Sequence, residues 1–119
     1  MFSSLNKLDF IEACNLFNQA KWYEAHDSLE EIWMELDGDE KQIIQGILQI
    51  AVSQLHLERG NKNGAIILLG EGLGRLNKRK YLDYEFDIIC LCETSNIILK
   101  SLQKGENIKS LDQPKIIFK

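Results

Sequence analysis

Proline is nearly absent from this chain, and that absence limits its fold more than any other feature. The 119 residues contain a single proline, Pro114, close to the C-terminus. Proline breaks helices because it lacks a backbone N–H and its ring clashes with the preceding turn. Apolar residues also recur three or four positions apart over long stretches, which is the period of an amphipathic helix. The sequence therefore predicts an all-α protein, a compact bundle of about five helices.

Capping and glycine signals give the expected ends of these helices. Gly60 and Gly105 each follow a long periodic stretch and predict helix ends, while Asp39 and either Asn61 or Asn63 predict helix starts. The expected helices cover residues 9–18, 21–36, 40–59, 65–78 and 83–105. The short connections between them predict helical hairpins.

The C-terminal residues 106–119 lack a helical period. They end in a β-prone run that includes Ile116 and Phe118, and no partner strand is evident elsewhere in the sequence. We expect an extended tail that rests on the bundle through these two side chains. The domain prediction is a single helical domain over residues 1–119, with a helical core of about 9–105 and a tail of 106–119.

A faint internal repeat relates the first half of the chain to the second. Residues 10–33, placed over residues 50–73, predict two helical hairpins forty residues apart, an arrangement that tetratricopeptide proteins use. His26 and Glu30 then align with Ile66 and Gly70, so packing of the hairpin does not require this polar pair. The positions that match are Phe17 with Leu57, Ala20 with Gly60, Ala25 with Ala65, Leu29 with Leu69, and Trp33 with Leu73.

Composition excludes several classes of function. The net charge of −4 argues against nucleic-acid binding, which depends on Lys and Arg neutralising phosphates. Three cysteines, Cys14, Cys90 and Cys92, have no zinc or redox spacing and are typical of small buried side chains in a reducing compartment. The uncharged stretch 42–57 is shorter than the roughly 20 residues of a membrane span, and the N-terminus has no secretory signal pattern. We therefore expect a cytoplasmic protein with no nucleic-acid or membrane partner.

Polar residues form one unusual constellation on the second and third predicted helices. His26 and Glu30 lie at the edge of the apolar face of the second helix, and the polar positions of the third helix fall within an arc of about 80°. If these helices are antiparallel neighbours, His26, Glu30, Gln49 and His56 converge. The predicted polar cluster consists of His26, Glu30, Trp33, Gln45, Gln49 and His56.

Three kinds of chemistry fit this cluster. His26 and Glu30 are candidate catalytic residues, because a partly buried carboxylate beside an imidazole suits general acid and base work. His26, Glu30 and His56 are candidate metal ligands, although the HExxH arrangement of metalloproteases is absent. A hydrogen-bonded pair that only fixes helix packing is the third reading. The sequence thus leaves enzymatic activity undecided and requires no cofactor.

The glycines of the GEGLG stretch, Gly70, Gly72 and Gly74, follow no strand and lie within a helical pattern. A phosphate-binding loop is therefore not expected. They predict close helix packing instead, at some cost in helix propensity.

Two motifs carry a family resemblance. EAHDSLEEIW has the form EAHxxLExxW, and the stretch from Gln45 to Ala65 has the form QGxxQxAxxxxHxxxGNxxGA. The chain resembles the bacterial and archaeal domain of unknown function family 309 from residue 10 to about residue 77. The resemblance implies an all-helical domain similar to helical-repeat hairpins, with no assigned biochemical role. The residues it marks are His26, Glu30, Trp33, Gln45, Gly46, Gln49, His56, Gly60, Asn61, Gly64 and Ala65.

Three functions remain open at this point. The leading hypothesis is binding of a small molecule at the polar cluster, which an enclosed cavity of ~300 Å³ or more there would favour. The alternative is a tetratricopeptide-like protein-interaction module in which the cluster is structural, which a concave apolar face elsewhere would favour. A metal-assisted hydrolase is the third. The expected partner is accordingly a small molecule or another protein.

Overall fold

A computed structural model describes residues 7–119 of the chain. Its five helices confirm the all-α prediction, and none of those in the described range has the length and apolar character needed to cross a membrane. Helices adjacent in sequence pack together, and the contact between the third and fourth is the most extensive. The helices are α1 (Lys7–Asn18), α2 (Trp22–Met34), α3 (Gly38–Glu58), α4 (Lys62–Asn77) and α5 (Ile88–Gln103).

The α1–α2 and α3–α4 hairpins have the same turn. In each, a residue with positive φ lies two positions after the helix, Ala20 at 59° and Gly60 at 76°. Backbone N–H groups then satisfy the last carbonyls of the helix, as in a Schellman motif. Ala20 N donates to Phe17 O (3.0 Å), and the equivalent Gly60 N donates to Leu57 O (3.1 Å). Lys21 N donates to Leu16 O (3.0 Å), and the equivalent Asn61 N donates to His56 O (2.7 Å).

The core is built from aromatic and aliphatic side chains of all five helices and the tail. Cys14 and Cys92 lie within it, Cys90 is half-buried, and all three thiols are free. Burial raises the pKa of Cys14 to about 12 and that of Cys92 to about 11, because the thiolate is poorly solvated there. These two cysteines therefore remain protonated and pack as small hydrophobes, as the sequence predicted.

Helix α5 begins at Ile88, so the predicted start at Asp83 is wrong. Asp87 is the N-cap, and its side chain accepts a hydrogen bond from the backbone N–H of Cys90 at 2.9 Å. Asp87 and the two residues before it pair with the tail instead of joining the helix. Asp87 N donates to Ile117 O (2.8 Å) and Lys119 N donates to Glu85 O (3.0 Å).

The tail therefore has the partner segment that the sequence did not reveal. Phe86 and Phe118 form an isolated antiparallel bridge. Asn18, the last residue of α1, holds the same segment through both amide atoms, since Nδ2 donates to Ile116 O and Oδ1 accepts from Ile116 N, each at 2.8 Å. Ile116 is buried, and Phe118 makes an edge contact with Phe10 at 6.0 Å between ring centroids. The tail is extended and rests on the bundle through these two side chains, as expected.

Candidate functional site

His26 and Glu30 form a pair on the surface of α2. The distance from His26 Nε2 to Glu30 Oε2 is 3.3 Å, and that from His26 Nδ1 to Asp27 Oδ1 is 3.4 Å. The side chains of His26 and Glu30 are 26% and 45% exposed. Both ring nitrogens thus face carboxylates of the same helix, and the pair is more open to solvent than the sequence led us to expect.

Trp33 connects α2 to α3. The Nζ atom of Lys41, in the first part of α3, lies 4.0 Å from the centroid of the half-buried Trp33 ring. A cation over an indole face contributes about 0.5–1 kcal/mol at an exposed site. This contact joins the last turn of α2 to the first part of α3.

Gln49 is directed towards α4. Its Nε2 donates to Glu71 Oε2 (3.1 Å), and its Oε1 accepts from an Arg75 terminal nitrogen (3.1 Å). Arg75 Nε also donates to Gln42 Oε1 at 3.1 Å. Gln49 is only 7% exposed, so these bonds satisfy an amide that burial would otherwise leave unpaired. Gln42 and Gln49 therefore bond to α4, and not to the His26 and Glu30 pair.

Arg79 extends this polar contact to the start of α3. Its Nε donates to Asp39 Oδ1 (3.0 Å) and a terminal nitrogen donates to Arg75 O (2.9 Å). The prediction that Asp39 caps α3 is wrong: Asp37 is the N-cap, without a side-chain hydrogen bond. Contacts of Glu71, Arg75 and Arg79 with α3 were not predicted from the sequence. Glu71 and Arg75 lie four residues apart on one side of α4, which is a signal for them, and Arg79 follows four residues later, just beyond the end of the helix.

Glycines allow α3 and α4 to approach closely. A Cβ on Gly72 would lie 2.8 Å from the backbone oxygen of Gly46, and a Cβ on Gly46 would lie 3.1 Å from that of Gly72. The prediction of close packing is confirmed for Gly72. It is wrong for Gly70 and Gly74, where a Cβ would meet nothing within 4 Å.

The HxxxGNxxG part of the second motif builds the turn between α3 and α4. Asn61 Oδ1 accepts from Gly64 N at 2.9 Å, which turns Asn61 Nδ2 towards His56 Nδ1 at 3.2 Å. A Cβ on Gly64 would lie 2.7 Å from Asn61 Nδ2, so a side chain there would displace the capping amide. Gly60 supplies the positive φ. Capping by Asn61 also explains why α4 begins at Lys62, before the predicted residue 65.

Of the candidate metal ligands, His26 and Glu30 are paired, but His56 does not join them. Among residues 7–119, no three His, Cys, Asp or Glu side chains are arranged to hold a metal ion. The physical reason is that His26 bonds along its own helix, while His56 lies at the far end of α3 beside Asn61.

One stripe of α3 remains partly open to solvent, and we call it the α3 stripe. At 100° per residue, its five positions fall within an arc of about 100°. Lys41, which contacts Trp33 of α2, falls near the middle of the same arc, and Gln49 bonded to Arg75 places α4 at one edge of it. The α3 stripe consists of Gln45, Leu48, Val52, Leu55 and His56.

Two adjoining clefts lie elsewhere, near the C-terminal ends of α3 and α5. Their volumes are about 630 and 360 Å³, and they share Leu57, Ile108 and Lys109. None of the six residues of the predicted cluster lines either cleft. That these six residues act together as a binding site stays a prediction.

No curated protein matches the chain. The model of one family, described as a domain of unknown function (DUF309), matches residues 10–68. That range contains α2, α3, the His26 and Glu30 pair, the α3 stripe and the Asn61 turn. The resemblance found in the two motifs is thereby confirmed, and through this stretch the chain belongs to the DUF309 family.

Proposed function

We propose that this chain is a protein-interaction module that binds a positively charged, amphipathic helical segment of a partner on the α3 stripe. The observation that carries this proposal is the apolar middle of the stripe. Leu48, Val52 and Leu55 are only half-buried, whereas nine of the 21 residues of α3 are buried. An apolar strip of this kind fits the helix-in-groove mode of peptide recognition.

The charge of the partner follows from α2. Its sequence, WYEAHDSLEEIWM, contains four carboxylates and no Lys or Arg. At the α4 edge of the stripe, Arg75 already bonds to Gln42 and Gln49. A partner segment that carries Lys or Arg beside its apolar face would be attracted by the carboxylates of α2, and electrostatic complementarity favours that partner over an acidic one.

The hydrogen bonding supports this function over the other two hypotheses. Gln49 uses both amide atoms on α4, and His56 Nδ1 faces Asn61. Side chains engaged in this way stabilise helix packing and are less available to a substrate. The equivalent turns forty residues apart also support a hairpin repeat of the kind that tetratricopeptide modules use.

A titration with two helical peptides tests the proposal. We expect a Leu/Lys amphipathic peptide to bind the full chain at micromolar concentration and to shift the backbone NMR signals of the α3 stripe. A Leu/Glu peptide of the same length should bind at least tenfold more weakly, a difference of about 1.4 kcal/mol.

Two matched variants localise the binding. Val52→Lys should weaken the Leu/Lys peptide about tenfold, because it places a charge in the apolar strip. Ile97→Lys makes the same change at a 55% exposed position of α5 and should have no effect. Equal binding of both peptides, or equal affinity of the two variants, would contradict the proposed interface.

We further propose the cytoplasm as the setting. The free thiols of Cys14, Cys90 and Cys92 support it, since oxidising compartments favour disulfides. Fractionation of cells that express the tagged protein tests this location, and recovery of the protein in a secreted fraction would contradict it.

A further inference from the structure

The larger cleft is a candidate ligand site that is separate from the α3 stripe. It has a volume of about 630 Å³, which lies within the range of small-molecule pockets. The end of α3, the start of α4, the end of α5 and the first tail residues form its walls. Gly60 and Gly105, each with positive φ, turn the chain at two of these walls.

The lining combines an apolar floor with positive charge. Leu57, Leu102 and Ile108 provide the apolar surface, and Lys62 and Lys109 stand beside it. Within residues 7–119, neither lysine makes an ion pair. Glu106 is the one carboxylate among the lining residues. The cleft therefore carries a net positive charge, in contrast to the net charge of −4 of the whole chain.

We propose that this cleft binds a small organic anion with an apolar body, such as an alkyl carboxylate. Its hydrocarbon part lies on Leu57, Leu102 and Ile108, where each buried methylene contributes about 0.8 kcal/mol. Its carboxylate lies by Lys62 and Lys109, which lack another anionic partner in the described chain. Such a site is distinct from the protein interface proposed above and does not depend on it.

Calorimetric titration with octanoate, octylammonium and octanol tests the proposal, because the three probes share a chain and differ in charge. We expect octanoate to bind the full chain at least tenfold more tightly than octylammonium, with octanol between them. The Lys62→Glu/Lys109→Glu variant should weaken octanoate about tenfold and improve octylammonium.

The control variant, Lys21→Glu/Lys115→Glu, makes the same change in net charge at two exposed lysines outside the cleft. It should bind octanoate like the unmodified chain. A second variant, Ile108→Ser, removes apolar surface and should weaken octanoate and octanol alike. No octanoate binding at millimolar concentration, equal affinity for octanoate and octylammonium, or equal octanoate affinity of the two charge-reversed variants would overturn the proposal.

Discussion

The two hairpins have the same turn but hold their helices together differently. In α1–α2 the contact is apolar, with the Phe17 and Trp22 rings edge to face at 5.0 Å between centroids. In α3–α4 two glycines bring the backbones together, and the Arg75 hydrogen bonds lie beside them. The position equivalent to Gly72 in the first hairpin is the buried Ile32.

This difference shows that the turn does not set the separation of the helices that it connects. The turn hydrogen bonds involve only backbone atoms at the helix end, whereas helix separation depends on the side chains at the crossing. The same turn therefore connects two helices with an apolar contact in the first hairpin, and two closely crossing helices joined by side-chain hydrogen bonds in the second. The variants below exchange features between the hairpins.

The largest effect is expected from Gly72→Ile, which gives the second hairpin the residue of the first. The new Cβ would lie 2.8 Å from Gly46 O, a backbone atom that moves only with α3. We expect a loss of about 3 kcal/mol in the free energy of unfolding, measured by urea denaturation. The control, Gly74→Ala, enters open space in the same helix and should gain about 0.5–1 kcal/mol. Comparable stability of the two variants would refute the close crossing.

Removal of the hydrogen bonds between Arg75 and α3 should have the next largest effect. Arg75→Leu leaves the buried Gln49 carbonyl without its donor and should cost about 2 kcal/mol. The double variant Arg75→Leu/Gln49→Leu should recover part of this loss, because both partners are then apolar. The equivalent change in the first hairpin, Glu35→Leu at an exposed position, should change stability by about 0.5 kcal/mol or less. Additive effects of the two leucine substitutions would disprove the coupling.

Exchange of the positive-φ residues between the two turns should destabilise one variant and stabilise the other. Gly60→Ala forces a Cβ into a φ of 76° and should cost about 1 kcal/mol. Ala20→Gly relieves the same strain at 59° and should stabilise by up to about 1 kcal/mol. Thermal unfolding of both variants measures the difference. A shift of the two melting temperatures in the same direction would show that the turns are not equivalent.

The smallest effect is expected at the polar pair of α2. Because the side chains of His26 and Glu30 are 26% and 45% exposed, His26→Ala or Glu30→Ala should cost only about 0.5 kcal/mol. Melting at low and high salt measures this contribution and its screening. A loss above about 2 kcal/mol would instead support the buried, bonded cluster that the sequence predicted.

Local patterns were enough to predict most of the fold. The apolar period predicted five helices, the glycine and asparagine of the second motif predicted the α3–α4 turn, and the GEGLG stretch pointed to close packing at Gly72. Each of these features depends on residues near one another in sequence. The start of α5 was predicted wrongly because residues 85–87 pair with the tail, some thirty residues later.

The candidate site shows the same limit. A helical period gives the angle of Gln49 on its own helix, but it does not give the direction in which the neighbouring helix lies. Gln49 was expected beside His26 and is bonded to Glu71 and Arg75 instead. The acidic and basic residues of α4 were visible in the sequence, but which residues of α3 they bond to depended on the close crossing of the two helices at Gly72.

By itself, the sequence determined where the chain is helical, where it turns and which residues each helix offers to its neighbours, because these properties depend on dihedral preferences and side-chain period. Tertiary structure alone decided which polar groups meet, which stripe of α3 stays open and where the tail closes the core. Those outcomes depend on contacts between residues far apart in sequence, and the absence of side chains at Gly46 and Gly72 lets α4, rather than α2, satisfy Gln42 and Gln49.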